Sequence, residues 1–291
     1  MFEGSYAAIV TPMKNGKVDG DGLRDLLEFH IANGTDGIVP CGTTGESATL
    51  THEEHHEVVS IVVELCKGKL PVLAGTGSNS TREAIELTQH AEKAGADGAL
   101  LITPYYNKPS QQGLYEHFTA VAAETGLPVI LYNVPGRTSV NMLPETVGRL
   151  AEKKNIVGIK EASGSLQQIT EIIALCGEDF NVISGEDSLN WPILAMGGKG
   201  LISVTANILP RKTADLFKFA AANNVEEAKK LHYELRKIND ILFIETNPAP
   251  VKTALALMGK ISPDLRPPLA KLSEESLNKL KETLKEYSLI D

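Results

Sequence analysis

Eight short apolar runs, interleaved with longer amphipathic segments, constrain this chain more than any other feature. The runs are 7–10 (AAIV), 37–40 (GIVP), 71–75 (PVLAG), 98–103 (GALLIT), 128–133 (PVILYN), 156–160 (IVGIK), 181–185 (NVISG) and 200–204 (GLISV). Each is continuous rather than alternating and rich in β-branched residues or leucine, as strands covered on both faces of a parallel sheet must be. The segments between them carry apolar residues at helical spacing: Leu23, Leu26, Leu27 and His30 in the first, Val58, Ile61, Val62 and Leu65 in the second, Ala84, Leu87, Thr88 and Ala91 in the third. Ser80-Thr81 and Ser273-Glu274-Glu275 are helix starts, and the pairs Gly34/Gly37 and Gly95/Gly98 suit tight helix-to-strand returns. Eight strand–helix units within about 200 residues predict an α/β fold, a closed (β/α)8 TIM barrel. An open, doubly wound sheet is the competing topology.

Beyond the eighth run only helical patterns remain, over 211–222, 225–243, 248–258 and 273–287, with Pro263, Pro267 and Pro268 marking a turn before the last. The expected division is a barrel over 1–224 and a small C-terminal helical extension, 225–291, packed on it. The total of 291 residues suits a barrel of about 250 residues with decorations. The formal net charge is −9 and no basic run is present, which argues against a nucleic-acid partner. Any site for an anion must therefore be built locally, from an arginine, a lysine or backbone N–H groups. Cys41, Cys66 and Cys176 are odd in number and widely spaced, suggesting neither a disulfide framework nor a metal site. The first residues lack the basic start of a signal peptide, and no apolar stretch approaches the roughly 18 residues of a membrane span, so a cytoplasmic location and no membrane partner are expected.

Reacting groups of a barrel of this kind gather where its strands end. Five such places are polar or glycine-rich: Gly42-Thr43-Thr44-Gly45-Glu46, Thr103-Pro104-Tyr105-Tyr106-Asn107, Tyr132 to Thr138, Lys160 to Gly164, and Ser184-Gly185-Glu186-Asp187. Lys160 is the sharpest candidate, because it ends an apolar strand instead of lying on a solvated helix face. Loss of water favours the neutral amine, and a neutral amine attacks a carbonyl. The alternative is a lysine paired with a buried carboxylate. Thr43 and Thr44 could hold a carboxylate or simply lead into a helix as its cap. Tyr132 could carry a proton or merely pack. Arg137 could grip a carboxylate in a two-pronged fork or form a surface ion pair of little energetic value. His52, His55 and His56 resemble a metal cluster at first sight, but the order H-E-E-H-H is not that of zinc helices, and no metal is expected.

In this order, the motifs closely resemble the class I aldolase family of dihydrodipicolinate synthase and N-acetylneuraminate lyase. The similarity spans essentially the whole chain, including Asn247-Pro248 and Pro250-Val251-Lys252, and Gly42 to Glu46, Tyr132 to Thr138 and Gly158 to Gly164 are similar to the dihydrodipicolinate synthase branch. The resemblance implies that Lys160 forms an imine with pyruvate, without metal or organic cofactor. It implies a proton relay of Tyr132, Thr44 and Tyr106, with Tyr106 reaching into a neighbouring subunit's site. Thr43 and Thr44 would hold the pyruvate carboxylate, and Arg137 the carboxylate of L-aspartate 4-semialdehyde. Gly185 and the Ile202 carbonyl would shape the pocket. The product would be 4-hydroxy-tetrahydrodipicolinate, in lysine (diaminopimelate) biosynthesis, and the expected assembly a homotetramer. Ser47, Ala48, His52, His55, Gly77, Asn79, Glu83 and Tyr105 match the effector site of lysine-inhibited members, which implies feedback inhibition by L-lysine. Two other readings stay open: a lyase for sialic or keto-deoxy-sugar acids, against which Arg137 argues, and a non-catalytic barrel that binds an amino acid.

Overall fold

The eight apolar runs become eight parallel strands: β1 (Gly4–Ala8), β2 (Gly37–Val39), β3 (Leu73–Gly75), β4 (Gly98–Ile102), β5 (Val129–Asn133), β6 (Ile156–Glu161), β7 (Asn181–Ser184) and β8 (Gly200–Ser203). This computed structural model describes residues 2–291. Pairing runs β2-β1-β8-β7-β6-β5-β4-β3, and a parallel bridge between Ile38 and Val72 closes the ring. A TIM barrel results, with helices between successive strands.

Two-residue alternation sorts each strand into two cores. The inner one holds Phe2, Tyr6, Ala8, Val39, Leu73, Leu100, Ile130, Tyr132, Ile183 and Ile202. The outer one joins Ala7, Ile38, Leu101, Val129, Leu131 and Ile159 to the helices. Two rings crowd the lower lumen, and glycine makes room for them. A Cβ on Gly37 would overlap the Tyr6 ring, and one on Gly98 would lie 2.5 Å from Phe2. These two glycines therefore do not make the helix-to-strand returns expected of them. Gly34 and Gly95 do, with φ of +74° and +92°.

Four other local expectations shift. β1 begins at Gly4, three residues before the apolar run, because Ser5 is buried with its hydroxyl on Thr213 and Tyr6 fills the lumen. In helix His52–Cys66 the buried face is His55, Val58, Val59, Val62, Val63 and Cys66, with Ile61 and Leu65 only half covered. That helix is apolar over more than half its girth, so the barrel wall, not its own periodicity, selects the face. Its cap is Thr51, which forms a capping box with Glu54, and not Thr44. An unexpected hairpin pairs Met13–Lys14 with Lys17–Val18 around Asn15 and Gly16, both at positive φ. The C-terminal helices, Pro210–Ala221, Val225–Ile241, Ala249–Leu257 and Glu274–Glu286, start and end within two residues of the expected positions. Among the described residues, no helix is long and apolar enough to cross a membrane.

Candidate active site

Lys160 and Tyr132 are register partners on β6 and β5, and both side chains face the lumen near the strand ends. Lys160 is 7% exposed, and its Nζ lies 4.2 Å from the centre of the Tyr132 ring. Among the described residues, no carboxylate comes within ion-pairing distance of it. Glu186 is near enough to feel its charge. Burial raises the Glu186 carboxyl, Asp187 adds to the rise, and Lys160 opposes it. Gly185 explains how the lysine stem passes: an added Cβ there would stand 2.9 Å from the Lys160 Cε and 3.0 Å from its Cγ. Ile202, in the same inner cluster, is also buried.

The buried ion pair that was the alternative for Lys160 exists elsewhere. Lys252, on helix Ala249–Leu257, pairs with Glu46, and their side chains are 1% and 0% exposed. Glu46 sits at φ 56° in the loop after β2, two residues beyond Thr44. Its second oxygen accepts the Arg266 backbone N–H at 3.3 Å. The Arg266 guanidinium forms a fork on Glu54 at 2.5 Å, which holds that carboxyl down at about 2, and also reaches the carbonyl of Thr49. Thr11 donates to the Gly45 carbonyl at 2.7 Å. The Thr43-Thr44 loop is thus held from both sides, with Thr44 buried and Thr43 half-buried.

Asn247 links two expected site residues. Its Nδ2 donates to Thr44 Oγ1 at 3.0 Å, and its carbonyl accepts from Arg137 Nη2 at 3.3 Å. Arg137 lies exposed on the single turn Pro135–Thr138 and, among the described residues, pairs with no carboxylate. The adjacent Glu161 points away from the lumen. It accepts from Asn133, Gln168 and the Ser163 N–H, which ties the ends of β5 and β6 together behind Lys160 and Tyr132. Tyr106 stands apart, 89% exposed at φ 73° on the loop after β4. Within one chain it does not join the buried mouth.

The second expected group assembles on neighbouring loops. His52 meets Glu83 at 2.7 Å, and the Ser78 hydroxyl donates to the other Glu83 oxygen; these bonds, Ser78 first, hold the Glu83 carboxyl below its usual range. Tyr105, half-buried, is raised by burial and then by Glu83. Asn107 donates to the Asn79 carbonyl at 2.8 Å. Gly77 packs so tightly that a Cβ would lie 2.9 Å from the Ile102 side chain. Ser47 and Ala48 form the short 3-10 turn leading into the His52 helix. His55 is buried on the Gly75 carbonyl at 2.8 Å, and its ring is lowered to about 4 by burial, while His56 stacks on His90 at 3.7 Å. Each histidine of the trio thus has a partner other than a metal. Among the described residues, no three His, Cys, Asp or Glu side chains form a metal cluster.

Sequence reasoning named Asn247 and Lys252 only as part of the resemblance, with no role for either, and missed Arg266 and the role of Glu46. The available signal was the one that exposed Lys160: Lys252 interrupts a run, APVKTALAL, that is apolar apart from it and Thr253.

Comparison with known proteins places this geometry. The family model of the dihydrodipicolinate synthetase family matches residues 1–287. The chain belongs to the dihydrodipicolinate synthetase family. A 4-hydroxy-tetrahydrodipicolinate synthase from Citrifermentans bemidjiense is 61% identical over 290 residues, covering 100% of both chains. The crystal structure of dihydrodipicolinate synthase from Aquifex aeolicus superposes with a TM-score of 0.98 at 49% identity, covering 99% of each chain. A dihydrodipicolinate synthase from Cyanidioschyzon merolae, solved with lysine bound, is 41% identical with a TM-score of 0.96 and 99% coverage of each chain. As a member of this family that aligns along the whole of its curated relative, the chain is an enzyme, a lyase.

Proposed function

We propose that the chain condenses pyruvate with L-aspartate 4-semialdehyde to 4-hydroxy-tetrahydrodipicolinate, through an imine on Lys160 and without metal or organic cofactor. One observation carries this reading: Lys160 is a buried lysine with no carboxylate partner among the described residues, set against Tyr132 at the mouth of the barrel. A lysine amine is a nucleophile for a carbonyl carbon, and this one is presented at the strand ends of the barrel beside a hydroxyl-bearing ring. The Lys160 nitrogen attacks the pyruvate carbonyl and water leaves. The imine nitrogen then withdraws electrons, and the methyl carbon loses a proton through Tyr132 and Thr44. The resulting enamine carbon adds to the aldehyde. The substrate's own amine then closes the ring and releases Lys160. Thr43 and Thr44 hold the pyruvate carboxylate, Gly185 and the Ile202 carbonyl bound the pocket, and Arg137 takes the carboxylate of the second substrate.

Tyr106 completes the relay from a second copy, which its 89% exposure supports. The assembly is a homotetramer built as a dimer of dimers, working in lysine biosynthesis in the cytoplasm. In this reading a catalytic barrel, 1–224, carries a helical extension, 225–291, which brings Asn247 and Lys252 to the site. L-Lysine is the feedback inhibitor, bound among Ser47, Ala48, His52, His55, Gly77, Asn79, Glu83 and Tyr105. The His52–Glu83 contact supports this, since Glu83 offers a carboxylate to an ammonium group.

Borohydride reduction in the presence of pyruvate tests the central step. A stable adduct on Lys160, found by mass spectrometry and lost in Lys160→Ala, is expected. Folded protein that yields none would sink the imine route. A coupled assay offering aspartate semialdehyde against N-acetylneuraminate separates this reading from the sugar-acid one. Millimolar L-lysine at saturating pyruvate should inhibit, and Glu83→Gln should relieve it; unchanged activity would remove the regulatory part.

A further inference from the structure

We propose that Asn247 is a positioning residue that fixes the direction of the Thr44 hydroxyl and steadies Arg137 from the same backbone unit. This rests on the imine reading above, and goes beyond it by giving the C-terminal extension a part in proton transfer. The amide Nδ2 can only donate, so Thr44 Oγ1, 3.0 Å away, is held there as an acceptor. The hydroxyl's own proton is thereby turned away from Asn247. A hydroxyl that accepts one hydrogen bond is also a stronger donor for the next. The opposite amide orientation would bury an unpartnered NH2 group, whereas the observed one leaves only Asn247 Oδ1 without a partner. Unpaired buried carbonyls are tolerated better than unpaired donors. The Asn247 backbone carbonyl meanwhile accepts from Arg137 at 3.3 Å. Two residues serving different substrates are thus referred to one point, and that point is anchored. Lys252, one turn on, is buried against Glu46, which follows Thr44 by two residues.

The step affected is removal of the methyl proton from the imine of pyruvate. The C–H electron pair becomes the enamine C=C bond, the C=N pair moves to nitrogen, and the proton leaves by the hydroxyls. A misdirected Thr44 should slow this step and leave imine formation intact. Arg137 uses the backbone carbonyl of Asn247, so side-chain substitution should spare the second substrate.

The test uses full-length wild type, Asn247→Ala and Asn247→Asp. Three readouts are compared: borohydride trapping of pyruvate, exchange of pyruvate methyl protons in heavy water without the second substrate, and steady-state constants. Trapping should persist in all three proteins. Proton exchange and kcat should fall about tenfold or more in both variants, less than the roughly hundredfold that full loss of a positioned acid–base group costs, because Thr44 itself is kept. KM for aspartate semialdehyde should stay within about threefold of wild type. The carboxylate introduced by Asn247→Asp presents only acceptors when ionised. That variant's deficit relative to wild type should therefore shrink as the pH is lowered and the carboxyl gains a donor, while the alanine variant's deficit stays constant. Exchange within twofold of wild type in both variants would overturn the proposal. So would folded variants that no longer trap pyruvate, since Asn247 would then serve binding instead. Failure of wild type itself to trap pyruvate would be a different result, bringing down the imine reading and this proposal with it.

Discussion

Replacing Lys252 with methionine should be among the most damaging single changes outside the barrel lumen. Lys252 and Glu46 are 1% and 0% exposed, so the variant leaves a buried carboxylate whose remaining partner is the Arg266 N–H at 3.3 Å. Removing one member of such a pair costs about 3–5 kcal/mol, most of it the desolvation of the charge left behind. With an unfolding entropy of about 2.1 cal/mol/K per residue over the whole chain, that lowers Tm by about 5–8 °C. Thermal melts followed by circular dichroism at pH 7.5 measure the drop. The double variant Glu46→Gln with Lys252→Met removes both charges and keeps an acceptor for Arg266, so it should recover most of the loss. KM for pyruvate should rise about tenfold in the single variant, because the Thr43-Thr44 loop loses its anchor. A drop below 2 °C, or a double variant no more stable than the single, would refute the claim that the pair is desolvated and coupled.

Gly185→Ala should cost about a hundredfold in kcat and also lower Tm, because the new methyl group meets both the Lys160 stem and the Ala162 Cβ at 2.9 Å, so the lysine is displaced and the strand end must shift; single-turnover kinetics and thermal melts check it, and wild-type rates would show that the lysine can lie elsewhere. His30, His55 and His117 are each lowered to about 4, chiefly by burial, from an ordinary 6.5. Their neutral folded forms contribute stability that is present above pH 6.5 and lost as pH falls toward 4, up to about 3 kcal/mol each. Urea midpoints should therefore fall steeply across that window, and His30→Gln should flatten the slope. Arg266 holds the Glu54 carboxyl at about 2 against an ordinary 4.5, so the stability gap between wild type and Arg266→Met should be full above pH 4.5 and close as pH falls toward 2. Denaturant titrations over a pH series would show a constant gap if the pair contributes nothing.

Particular residues show how much of this was legible. Lys160 was legible because a charged residue inside a buried run violates the pattern that makes the run visible. Lys252 violates the same pattern, but on a helix, where strand-end reasoning does not look. Glu46 was quoted within a glycine-rich motif, yet its partners lie 206 and 220 positions away, and no local rule spans that distance. The small hairpin carried its own signal, Asn15-Gly16 between Met13-Lys14 and Lys17-Val18, and only the brevity of those strands hid it.

The order of strands and helices was determined by the sequence alone, because backbone hydrogen bonding and the burial of apolar runs are satisfied locally or between neighbours. Apolar periodicity and the residues ending each strand were enough to name the barrel and its reactive end. The tertiary structure decided which buried lysine is paired and which is not. It also decided that Gly37 and Gly98 yield space to aromatic rings instead of turning the chain. The hydrogen bond from Asn247 to Thr44, 203 positions away in the chain, was decided the same way. Each of these depends on what a side chain meets across the fold, and desolvation and hydrogen bonding respond to that neighbour whatever its distance along the chain.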